Sequence, residues 1–199
     1  MALIVCSIVV ALVVARLAGG QLSSVERLPA HGLLLLAAAM ALLAVGLIVG
    51  WLGLPAGPCY AVALGLSGVL VGRFMLVNRS LTGTGLIAAG LLLNAMVVGL
   101  NAAMPVSAHA AARAGVGVAA VGDRWHTVAG SHTRLRPLGE VIAVPLPLWP
   151  EVDSLGDLLV AAGLAQLVFM ALRPPPYGRR KVGAGGPEPT SSKILTHTD

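Results

Sequence analysis

Two asparagines, Asn94 and Asn101, stand inside or at the end of an apolar run of this 199-residue chain and are the residues there best suited to chemistry. A seven-residue spacing is nearly two helical turns, so both amides project from one helix face, about 10 Å apart along the axis. An amide in hydrocarbon faces protein or water, which leaves interhelical hydrogen bonds or a solute site as its uses. Farther on, Asp123-Arg124-Trp125-His126 and His132-Thr133-Arg134-Leu135-Arg136-Pro137-Leu138-Gly139-Glu140 bring two imidazoles near carboxylates. His126, His132, Arg134 and Glu140 are candidates for hydrogen bonds that close a loop over helix ends, or for recognition of a partner. A metal suits them less, because histidines six positions apart match neither a helical HExxH pair nor a finger. Asp157 falls in Ser154-Leu155-Gly156-Asp157, the spacing of a capping box with Asp in place of Glu. Its alternative use is as a functional carboxylate paired with a loop arginine.

Other chemistries find no support. The chain has no nucleophile elbow, phosphate loop or dinucleotide fingerprint. An intramembrane haem needs histidines within helices, whereas His31 lies at a run boundary and His109, His126 and His132 lie between runs. Cys6 and Cys59 form no CxxC pair and read as small hydrophobes, with a disulfide as the minor alternative. No catalytic residue, metal or cofactor is expected, and the chain is not expected to be an enzyme.

Composition sets the elements that must position these residues. Hydrophobic side chains make up 57% and charged ones 11%, against roughly 25% charged in a soluble domain, and the mean hydropathy is +0.89. The expected fold is therefore all-α, an integral membrane helical bundle of about five transmembrane helices. Its spans cover about 2–18, 33–54, 59–77, 86–104 and 154–172, with Pro55 and Pro58 in a turn outside the hydrocarbon and Pro105 ending the fourth span. The first run is short, and Arg16 can snorkel to lengthen it; with no basic residue before it, it reads as an uncleaved helix rather than a signal peptide. Residues 106–153 form one long loop, and 173–199 read as a disordered basic tail.

Charge placement orients the bundle. With the N-terminus out and the C-terminus in, nine basic residues face the cytoplasm and four, Arg113, Arg124, Arg134 and Arg136, lie in the extracytoplasmic loop. Trp51, Tyr60 and Trp149 then form an aromatic belt at the outer interface. The net charge of +5 is thus directed at the lipid bilayer rather than at nucleic acid. Gly46 to Gly50 and Gly68 to Gly72 are GxxxG matches, expected to pack helices two and three together.

Several of these stretches taken together resemble the bacterial domain-of-unknown-function family 5317. They are Gly19-Gly20-Gln21-Leu22, Arg73 to Arg79, Asn94 with Asn101 to Val106, Leu138-Gly139-Glu140 and Ser154 to Asp157. The resemblance implies a small multi-pass bacterial membrane protein and transfers no catalytic residue. Glu140 stands where the pattern has Asp, and Ala102-Ala103 stands where it has glycines. The resulting expectation is a non-enzymatic accessory or scaffold protein of the bacterial plasma membrane, working with a membrane-protein partner or as a homo-oligomer. The alternative is a small-solute or lipid binding or transport protein using the Asn94 and Asn101 face; an outer-face hydrolase or metal enzyme ranks third.

Overall fold

A computed structural model describes residues 2–27, 31–117 and 123–173; the tail expected over 174–199 lies outside them. The long apolar runs form α1 (Ala2–Leu17), α2 (Leu33–Trp51), α3 (Ala56–Val77), α4 (Thr84–Asn101) and α6 (Leu155–Leu172). The four from α2 onward are each long and apolar enough to cross a membrane, whereas α1 has 16 residues and is shorter. Apolar surface faces outward on all of them. Helix α2 shows this most clearly, since of its 19 residues it buries Ala39, Gly46 and Gly50.

The expectation of an all-α chain needs correction in the loop. There, α5 (Ala108–Ala114) accompanies four three-residue strands, β1 (Met104–Val106), β2 (His126–Val128), β3 (Ile142–Val144) and β4 (Glu151–Asp153). Strands this short carry no readable alternation, so hydrophobic periodicity could not reveal them. β1 and β2 pair in parallel with Met104 opposite His126, and β3 and β4 form an antiparallel hairpin with Ile142 opposite Asp153. A small core of Val106, Ala110, Ala111, Ala114 and Val152 holds α5 against these strands. Ser107 starts α5 by accepting from the Ala110 amide, and Gly115 ends it in a left-handed conformation.

Helix boundaries also move. The fourth helix stops at Asn101 rather than near Met104, because Ala102 adopts a left-handed φ of 59° and the chain turns directly into β1. That conformation favours glycine, and Ala102 occupies it here. Pro58 lies in the first turn of α3 rather than in the preceding turn, at a position where a missing amide hydrogen leaves no helical bond unmade. The second helix ends at Trp51, with the rest of the apolar run to residue 54 in the turn that follows.

The principal packing runs α2, α3, α4, α6, α1, so the first two helices of the chain sit at opposite edges of the row. Glycine permits the close approaches, though not all where GxxxG spacing pointed. A Cβ on Gly46 would meet Ala63 of α3, as expected, whereas one on Gly68 would meet Leu92 of α4. The tightest seam joins α4 to α6. Gly83 abuts Gly163, and Gly90 abuts Gly156, each within 2.8 Å of the partner's carbonyl oxygen for an added Cβ. Both pairs have heptad spacing, the antiparallel counterpart of the small-residue seams that bring transmembrane backbones together.

Candidate functional site

One end of the row carries the loop, and there every long helix end is tied down by a residue from a different element. Asn94 is buried in α4 and reaches the start of α6. Its Nδ2 donates to Asp157 Oδ1 at 2.9 Å, and its Oδ1 lies 2.9 Å from Ser154 Oγ. Ser154 and Asp157 form the capping box expected from their spacing, with the Asp157 amide donating to Ser154 Oγ and the Ser154 amide to Asp157 Oδ2. The single Ser154 hydroxyl proton is shared between two acceptors, Asn94 Oδ1 and Asp157 Oδ2, the latter at 2.6 Å. Gly156 leaves room for this, since a Cβ there would stand 2.1 Å from Asn94 Oδ1. The Asn94 face therefore carries α6 in direct contact. Two crevices, of about 550 and 380 Å³, lie elsewhere, between α1 and α6 and between α2 and α3.

Asn101 shares a helix face with Asn94 but meets the loop. Its Oδ1 accepts from the Arg134 amide at 2.8 Å, while its Nδ2 donates to the Arg134 carbonyl at 3.0 Å and to Val97 O at 2.8 Å. Arg134 thus enters the network through its backbone. The start of α3 presses on the same turn, where a Cβ at Gly57 would overlap the Ala102 carbonyl oxygen at 1.4 Å.

His126, Asp123 and Glu140 come together around one imidazole ring. Asp123 Oδ1 accepts from the Trp125 and His126 amides at 2.8 and 2.7 Å and from His126 Nδ1 at 2.8 Å. Glu140 is positioned by β1, for its amide donates to Pro105 O and its carbonyl accepts from the Ser107 amide. Its Oε1 then lies 3.2 Å from His126 Nε2. With a carboxylate at each nitrogen the ring is held as imidazolium. Burial alone would lower its pKa, but the hydrogen bonds and charges of Glu140 and Asp123 outweigh this and push it up to about 9. Burial likewise opposes but does not reverse the lowering of Asp123 by the two backbone amides and His126. Burial raises Glu140 despite His126 beside it. Both ring nitrogens are thus committed to carboxylates rather than to a metal, and no metal-ligating group of three or more His, Cys, Asp or Glu occurs among the described residues. His132 is not part of this arrangement; it is exposed and makes no hydrogen bond or ion pair among the described residues. Cys6 and Cys59 are free thiols.

The family model described as "Family of unknown function (DUF5317)" matches residues 27–169. The chain belongs to this family. No curated protein and no solved structure matches it.

Further ties at the loop end of this DUF5317 chain had no readable sequence signal. Arg124 Nη1 donates to the Gly50 carbonyl at 2.6 Å, and its guanidinium lies 4.9 Å from the centre of the Trp51 ring, placing a cation at the C-terminus of α2. Trp125 packs against Trp51 with ring centres 5.7 Å apart. At the start of α1 the Glu151 carboxylate accepts from the Ala2 and Leu3 amides, an anion at a helix N-terminus supplied from almost 150 residues away. Those bonds lower its pKa even though burial opposes them. Asp153 is buried, and its Oδ2 has no hydrogen-bond partner among the described residues. Burial pushes this carboxyl up to about 7, and the charges of Glu151, Asp157 and Glu140 add to the shift.

Proposed function

We propose that this DUF5317 member is a non-enzymatic accessory or scaffold protein of the bacterial plasma membrane. Five helices span the bilayer, with the N-terminus outside and the C-terminus inside, and the folded loop is an extracytoplasmic platform for a partner protein. One observation carries the reading: the loop makes direct contact with one end of each of the five long helices. Glu151 holds α1, Arg124 holds α2, the Ala102 turn seats α3, Arg134 holds Asn101 of α4, and Ser154 with Asp157 joins α6 to Asn94. The His126 ring, engaged at both nitrogens, holds Glu140 and Asp123 rather than a substrate. Such a lattice suits a rigid surface. In this orientation Arg16 reaches the inner headgroups and extends the short α1, and Trp51 and Trp149, both exposed, lie at the outer interface.

Two measurements test the reading. In a background with Cys6 and Cys59 replaced by Ser, a membrane-impermeant maleimide should label Ser131→Cys in spheroplasts and Ser80→Cys only after permeabilisation. The reverse pattern overturns the orientation. A photo-crosslinking residue at His132 should then give an adduct of defined stoichiometry with another membrane polypeptide. Recovery of the uncrosslinked chain alone under lipid-preserving conditions overturns the accessory role.

A further inference from the structure

Gln166 breaks the rule by which polar side chains within apolar helices face protein. It is exposed on α6, and its side chain makes no hydrogen bond among the described residues. Six residues separate it from Leu172, the end of the helix, which places it about 9 Å inside the span. Together with Cys6, Ser7, Val10, Val14 and Phe169 it lines the crevice of about 550 Å³ between α1 and α6. An acyl chain fills such a crevice but leaves the amide without a partner, which costs free energy in hydrocarbon.

We propose that the α1–α6 edge is the interface at which a second copy of this chain packs, with the two Gln166 amides hydrogen-bonded to each other across a two-fold axis. The proposal rests on the membrane-spanning reading of α1 and α6 given above. Three features select a second copy as the occupant. A carboxamide carries donor and acceptor together, so it is its own complement, as an isologous contact requires. The same edge also carries a ridge that fits a groove: Val5, Val9 and Val13 recur every four residues on α1 and are 58%, 51% and 51% exposed. Finally, α1 ends the row of helices, so groove and ridge lie side by side on a flank where the principal packing supplies no further helix. One copy's ridge can enter the other copy's crevice while the reverse contact forms by symmetry.

The test uses the full chain with Cys59→Ser, reconstituted in lipid vesicles and treated with a short bismaleimide, so that Cys6 reports proximity of the two edges. A dimer band that falls with lipid dilution is expected. Gln166→Leu should lower the dimerisation constant roughly three- to thirty-fold, the range for loss of one or two interhelical amide bonds, and Gln166→Asn should recover part of it. Unchanged thermal unfolding of the Leu variant establishes that the fold persists; if the Leu variant unfolds early, the comparison passes to Val9→Trp, which makes the ridge too bulky for the other copy's groove and should also reduce the dimer. A dimer band indifferent to both variants, or its absence in vesicles that retain the protein, overturns the interface. A Cys6 adduct to a different polypeptide in native membranes overturns the second copy as occupant. Failure of the membrane reading has its own signature, which is release of the chain from membranes by alkaline carbonate.

Discussion

Asn78 and Asn101 perform the same operation at opposite ends of the molecule. Each stands at the C-terminal end of a long helix, donates to the carbonyl four residues back, and uses its amide to pair with both backbone groups of one distant residue. For Asn78 that residue is His31, with both bonds at 2.8 Å; for Asn101 it is Arg134, at 2.8 and 3.0 Å. The surroundings differ. Asn78 is 3% exposed and is the side chain that ties the α3 end to the approach to α2, whereas Asn101 is only partly buried and is one of several side-chain ties between helix ends and loop. Among the described residues, one end is closed by short turns and by the buried Asn78 amide. The other is closed by charge and by a folded loop, which holds the shifted groups His126, Asp123 and Asp153.

The largest effect comes from steric invasion of the loop end. Gly57→Ala should destabilise the protein by about 3 kcal/mol, because the added methyl meets the Ala102 backbone rather than a movable side chain; thermal unfolding in mild detergent measures it. Asn94→Ala follows at about 2 kcal/mol, since it strips a donor from Asp157 and an acceptor from Ser154. A double-mutant cycle with Asp157→Asn should show non-additivity of at least about 0.5 kcal/mol; full additivity would mean that the two groups are not coupled.

The twin asparagines give the direct comparison. Asn78→Ala should cost about 2 kcal/mol and Asn101→Ala about 1 kcal/mol, because the groups left unpaired are more buried in the first case. Equal losses would show that burial does not set the difference. Hydrogen exchange should further localise the Asn101 effect to 123–144 and the Asn78 effect to 31–37.

The smallest effect is in pH. His126 is raised to about 9 from 6.5, so its contribution is fully present below about pH 6.5 and is lost as pH rises through 9. Asp153 is raised to about 7 from 3.8, so its contribution is present below 3.8 and disappears as pH rises through 7. The lowered Asp123 acts in the opposite sense, contributing above 3.8 and losing its contribution as pH falls through its folded value. Exchange protection of the loop should therefore decline from weakly acidic to alkaline pH. His126→Gln should flatten the leg from 6.5 to 9, and Asp153→Asn the leg from 4 to 7. A decline that neither variant flattens would mean that these two groups do not set it.

Legibility followed the range of the interaction. The Ser154 to Asp157 capping box could be read because it spans three residues of one helix start, and the shared face of Asn94 and Asn101 because helical periodicity is local. Their partners could not be read. Asn94 acts 60 residues away and Asn101 33 residues away, and no spacing rule links them to Ser154 or Arg134. The heptad glycines at 83, 90, 156 and 163 were overlooked because a seam between two helices shows its pattern half on each. Spacing along the chain argued against a metal at His126 and His132 but could not pair His126 with Glu140, which arrives through β1, whose three residues carry no detectable period.

Composition and apolar run length alone determined that this chain consists of long apolar helices with a polar loop between the last two. Those properties depend on how many side chains avoid water and on contacts within one or two turns. Tertiary structure alone decided what the loop's charges do. A carboxylate, guanidinium or imidazole has no preferred partner until packing lowers the dielectric around it and brings another group within about 3 Å, and only then do Glu151, Arg124 and His126 become ties to particular helix ends and strands.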